Sequence, residues 1–134
     1  MNESLQARVI HTLLDRLPDI VAIYRFGTWG TPQERSDSDI DLAISSGQKL
    51  CNLDRWELSQ KLAQIASRDV DLVDMRRAST VMRLQIVAHG ERIYCTDEVA
   101  ASHFETIIYS AYARLNEERY EILADIRARG SVYA

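Results

Sequence analysis

Residues 20–44 read IVAIYRFGTWGTPQERSDSDIDLAI, and everything else in the chain is placed by how this stretch folds. IVAIYRF, at 20–26, is a β-branched and aromatic run of the length of a buried strand. Gly27 closes it. Residues 28–38, TWGTPQERSDS, are polar and rich in turn formers. DIDLAI, at 39–44, alternates acidic and apolar residues. On a strand, Asp39 and Asp41 then face one way while Ile40, Leu42 and Ile44 face the other.

Two carboxylates on one face of a strand lie roughly 6 to 7 Å apart along the chain and repel each other. A divalent cation relieves that repulsion, and Mg2+ takes oxygen ligands. A glycine between strand and loop allows a tight turn and lets a phosphate approach exposed backbone N–H groups. Thr28 adds a hydroxyl donor, and a helix beginning there would add positive partial charge. DVDLVD, at 69–74, repeats the acid and apolar alternation and predicts a third strand, with Asp71 opposite in face to Val70 and Leu72. If that strand neighbours the first acidic one, Asp71 completes a cluster.

Outward from this centre, Leu5, Val9, Leu13 and Leu17 predict an amphipathic helix over about 3–17, stopped by Pro18. Asp54 is placed to cap a helix running to about 66, with Trp56, Leu58, Leu62, Ile65 and Ala66 as its apolar residues and Trp56 in the core. Ser79 or Thr80 caps a short helix over 80–88 that ends near Gly90, and ERIYC at 91–95 is a fourth strand. A long helix follows from about 97 to 128, with a stripe of Phe104, Ile108, Ala111, Leu115, Ile122 and Ile126. Strands alternating with helices predict an α/β domain, a small mixed sheet with packed helices.

At 134 residues the chain is expected to form one domain, 1–134. Its 46% hydrophobic and 27% charged residues suit a globular protein with a core rather than a disordered one. With 16 basic against 20 acidic residues the net charge is -4, which lacks the basic footprint of a direct nucleic-acid binder. Cys51 and Cys95 form no C-x-x-C pair and no zinc spacing, so both read as reduced thiols. No stretch approaches the ~18 apolar residues of a membrane span, and MNESLQARVIHTLL is not a signal peptide. A cytoplasmic location is expected.

FGTWGTPQERSDSDIDLAI resembles the signature of the polymerase-beta-type nucleotidyltransferase superfamily, Gly-Ser, about ten residues, then Asp-x-Asp, with Thr28 in the serine place. The segment VDLVD at 70–74 is similar to the family's later acidic strand. The chain's length is similar to that of the minimal nucleotidyltransferases, and RLNEERYEILADIRARGSVY resembles the closing helix of those that act as antitoxins beside HEPN-domain ribonuclease toxins. The resemblance implies a polymerase-beta-like fold and transfer of AMP from ATP to a tyrosine hydroxyl of a HEPN toxin. It implies that Asp39, Asp41 and Asp71 are catalytic and hold two Mg2+ ions, and that Gly27, Thr28 and Ser38 bind the nucleotide. The alternatives are an antitoxin that only covers its toxin, and a transferase acting on a small-molecule hydroxyl. Pro32 departs from the family's loop and removes one N–H from it.

Other residues admit more than one role or a purely structural one. Asp69 shares parity with Asp71 and rivals it as third carboxylate, whereas Asp74 has the opposite parity and reads as a solvated strand end. Asp37 reads as a turn former, and Ser38 as either a phosphate ligand or a turn cap. Trp29 either stacks on a base or the acceptor or packs locally, and Arg76 and Arg77 read chiefly as a solvated pair. His11, His89 and His103 have no partners at ligand spacing. The helix of 97–130 either packs on the sheet or presents a partner surface through Tyr109, Tyr112 and Tyr120.

Overall fold

The computed structural model describes residues 4–129. Four helices and four strands follow in the order α1 (Leu5–Arg16), β1 (Ile20–Phe26), β2 (Ile40–Ser46), α2 (Asn52–Ala66), β3 (Val70–Asp74), α3 (Thr80–His89), β4 (Glu91–Cys95) and α4 (Glu98–Arg129). All four expected strands form, and the fold is the mixed α/β sheet that their alternation with helices predicts. The ends of the expected 1–134 domain and of the 97–130 helix lie outside the described residues.

The sheet order is β3-β2-β1-β4. β1 runs antiparallel to β2 and β4, while β2 and β3 are parallel. The parallel pair needs a crossover, which α2 provides. Side chains of alternate parity build two cores on the two faces. Ile23, Ile40, Leu42, Ile44 and Leu72 pack with Val9 and Leu13 of α1 and Leu58 and Leu62 of α2. Ala22, Tyr24 and Ala43 pack with Ile86 of α3 and Ile108 of α4. The odd-numbered acids of β2 and β3 belong to this second face.

Local chemistry accounts for the helix ends. Ser4 and Ser79 cap α1 and α3 by accepting from Ala7 N and Met82 N, each at 3.1 Å. α2 begins earlier than expected. Its cap is Cys51, whose Sγ accepts from Asp54 N at 3.4 Å, so Asp54 sits within the first turn, where its charge favours the helix N-terminus. Trp56 is not core: it is 59% exposed, because it lies two residues, about 200°, from Leu58 and so on the opposite side of the helix. Trp29 packs locally, 7% exposed, in the α1/α2 core.

α4 is gripped near its start. Tyr24 donates to Glu105 at 3.0 Å, and Arg92 donates to Glu105 and Glu98 at 3.2 and 2.6 Å. Burial, then the Glu105 charge, push the Tyr24 hydroxyl well above its ordinary value, so it stays a donor. Beyond Leu115 the helix leaves the body. Tyr120, Ile122 and Leu123 are 73%, 59% and 55% exposed. Only the first part of the expected apolar stripe is covered by this chain.

Candidate active site

The site grows from the sheet end where β1 leaves and β2 and β3 enter. Phe26, the last residue of β1, is the register partner of Asp41 on β2, and Asp41 is the register partner of Asp71 on β3. Register partners share a face, so the Asp41 and Asp71 side chains stand next to each other on the α3/α4 side. Asp39 precedes β2 by one residue and has the parity of Asp41. The three acids expected from the sequence are brought together at one end of one face.

Their electrostatics follow. Burial, then the charge of Asp71 and then that of Asp39, push the Asp41 carboxyl above the ordinary carboxylate value. Asp69 exerts no such effect; it is exposed and shares a shallow cavity with Asp37, Asp39 and Arg68. Among the described residues no three acidic, histidine or cysteine side chains are arranged to ligate one ion. The donor chemistry nevertheless fits a hard divalent cation: three oxygen-bearing side chains at one sheet end, with a mutual repulsion that positive charge would relieve. Closing on such an ion requires the carboxylates to turn toward it.

The glycine turn lies directly against this cluster. Gly27 has φ +69°, and a Cβ placed on it would overlap Oδ2 of Asp41 and stand 3.1 Å from its Cγ. Glycine is needed twice over, for the left-handed backbone and for the close approach. No helix starts at Thr28. The chain runs on in consecutive turns, with Thr31 N and Thr31 Oγ1 both donating to Thr28 O at 3.0 and 2.6 Å. Thr28 itself is exposed beside the turn.

The rest of the loop is tied down. Trp29 anchors it in the core, and Arg25 lies beneath Gly30 and pairs with Glu91. Glu34 accepts from Arg68 Nη1 at 2.8 Å and from Gly30 N at 3.4 Å, and Arg68 holds its carboxyl below the ordinary value. Ser38 closes a turn by accepting from Arg35 N at 3.1 Å, which leaves its own hydroxyl hydrogen as a donor. The Glu34–Arg68 brace had no signal in the sequence, since its partners lie 34 residues apart.

Asp74 is 3% exposed rather than solvated. It accepts from Leu50 N at 2.9 Å and Arg76 N at 3.0 Å, and so fastens the end of β3 to the loop before α2. Arg76 and Arg77 stay at the surface but donate to Ser46 O and Gly47 O, and to Leu50 O, respectively. His11, His89 and His103 are exposed.

A mixed four-stranded sheet with three carboxylates at one strand end, and a glycine turn pressed on one of them, is the frame of a nucleotidyltransferase. The family described as Polymerase beta, Nucleotidyltransferase matches residues 8–99, and the chain belongs to that family. It is 39% identical over 137 residues to Protein adenylyltransferase MntA of Shewanella oneidensis, a match covering 100% of this chain and 96% of that protein. Among solved structures, a toxin–antitoxin with AMP-PNP matches at a TM-score of 0.80 and 39% identity, covering 91% of this chain and 98% of that one. A tri-AMPylated Shewanella oneidensis HEPN toxin in complex with MNT antitoxin matches at 0.76 and 37%, covering 92% and 96%. No helix among the described residues is long and apolar enough to cross a membrane.

Proposed function

We propose that this chain is a protein adenylyltransferase antitoxin, which transfers AMP from ATP to a tyrosine hydroxyl of a cognate HEPN-domain toxin in the cytoplasm. The observation that carries the reading is the register: Asp41 faces Asp71 across β2 and β3, with Gly27 in contact range of the Asp41 carboxylate. The full-length likeness to an adenylyltransferase, and to antitoxin chains solved with AMP-PNP and with an AMPylated toxin, supports the nucleotide and the acceptor.

Asp39, Asp41 and Asp71 would hold Mg2+. Bound there, such ions would supply positive charge to offset that of the triphosphate and of the departing pyrophosphate. The chain's own residues do the rest. The exposed turn at Gly27 and Thr28, together with the Ser38 hydroxyl, offers donors to the outer phosphates. Asp71, the most accessible of the strand acids, takes the proton of the incoming hydroxyl. The braced loop holds these groups in fixed relation, and positioning and electrostatics account for most of the acceleration in such transfers.

Asp39→Asn and Asp41→Asn should abolish incorporation of labelled adenylate into the toxin while the fold persists. Retained incorporation at the wild-type rate would overturn the assignment. The exposed outer half of α4 supports a second element, a toxin-docking surface. A toxin that is silenced but unmodified by mass would turn the reading to occlusion alone.

A further inference from the structure

Asp71 has a second neighbourhood, on the side away from Gly27. A cavity of about 460 Å3 opens along the free edge of β3, lined among others by Asn52, Arg55, Asp71, Val73, Arg77 and Met82. Two of these are cations fixed in place. Arg55 donates from Nη1 to Leu72 O at 3.2 Å, and Arg77 from Nε to Leu50 O at 2.8 Å. Each uses one N–H on a backbone carbonyl and keeps the rest of its fork. Among the described residues neither guanidinium is paired with a carboxylate. Asp74, which lines the same cavity, spends both oxygens on backbone N–H groups.

In a chain with more acidic than basic residues, two immobilised and unpaired guanidiniums beside Asp71 are a site for an anion. Val73 and Met82 give the same cavity an apolar wall suited to a ring. We propose that this cavity is the acceptor-side subsite, in which Arg55 and Arg77 hold an anionic group of the acceptor while its hydroxyl reaches Asp71. The proposal rests on the adenylyltransferase reading and deepens it.

The acceptor O–H gives its proton to the Asp71 carboxylate, and its oxygen bonds the α-phosphorus of ATP. The bond from that phosphorus to the β-phosphate oxygen breaks, and pyrophosphate leaves with the electron pair. The anion has two sources within one toxin. It is either a carboxylate side chain beside the acceptor tyrosine, or the phosphodiester of an AMP already attached, whose ribose hydroxyl is then the next acceptor.

The test uses the full chain with its cognate toxin, ATP and Mg2+, comparing wild type with Arg55→Gln, Arg77→Gln and the double variant. Arg55→Lys and Arg77→Lys, which keep the charge and the side-chain bulk but lose the fork, cover the case of a glutamine variant that does not fold. The readouts are the intact-mass ladder of the toxin and the separate KM values for toxin and ATP. The expected result is an unchanged KM for ATP together with one of two changes. A KM for toxin raised about tenfold or more at the first addition assigns the carboxylate. A first addition left intact while later ones disappear assigns the phosphodiester. A wild-type ladder with wild-type KM values, or KM values for ATP and toxin that rise together, overturns the subsite. Failure of the underlying reading looks different: the wild-type chain itself adds no adenylate.

Discussion

Gly27→Ala separates what the turn does for folding from what it does for chemistry. At φ +69° an alanine pays the left-handed penalty of about 1–2 kcal/mol, which in a domain of this size lowers Tm by roughly 5 °C. The new methyl also meets Asp41 Oδ2 well inside the 3.0 Å that Cβ contacts respect. The obstructing atom is the tip of a side chain that is able to rotate, so the overlap adds little to the folding cost. Its effect falls on catalysis instead: the carboxylate must retreat by about 0.8 Å, and a misplacement of that order costs roughly a hundredfold in rate. Initial rates of labelled adenylate transfer, measured beside a thermal melt, read both quantities on one sample. A folded Gly27→Ala protein working within about threefold of the wild-type rate would refute the claim that the turn sets the position of Asp41.

Three further outcomes follow from particular contacts. Burial and the charges of Asp71 and Asp39 raise the Asp41 carboxyl, so its contribution to stability is complete below the unfolded carboxylate pKa and is lost as pH rises through the folded one. Asp41→Asn should therefore melt above wild type near pH ~7 and lose that advantage below pH ~4; a gap independent of pH would contradict the electrostatic origin. Asp74→Ala removes the acceptor of two backbone N–H groups and should cost about 2–3 kcal/mol in urea unfolding, where a surface aspartate would cost almost nothing. Ending the chain after Asn116 removes a stretch whose described residues, 117–129 of α4, are all exposed, so the melt should stay within a few degrees of wild type while co-elution with the toxin disappears. Retained co-elution would move the docking surface elsewhere.

The strands were legible because their apolar runs are short, β-branched and bounded by turn formers, and parity alone placed Asp41 and Asp71 on matching faces. What parity does not contain is adjacency. That β3 lies beside β2, in the register that joins these acids, depends on the α2 crossover and on which strand edges remain open. The same gap explains Asp74, whose parity was read correctly but whose partner at Leu50 is 24 residues away. Trp56 differs for another reason: counting it with the apolar residues of α2 ignores its phase, which from its spacing to Leu58 puts it on the outer side of the helix. The start of α2 escaped because a thiol is a weak acceptor, and aspartate at 54 looked the better cap. Trp29 had two open readings, and only the burial of its ring among α1 and α2 residues chooses between them.

β3 is five residues long and is hydrogen-bonded on one side only. A bare rim of that kind invites another chain to add itself as a further strand, with aggregation as the usual result. Here the carbonyl of Leu72 already carries the Arg55 guanidinium, a bulky cation planted where an incoming backbone would have to lie. The sheet is thereby stoppered beside its most reactive end, and whatever protein comes to Asp71 has to arrive as side chains rather than as a fifth ribbon.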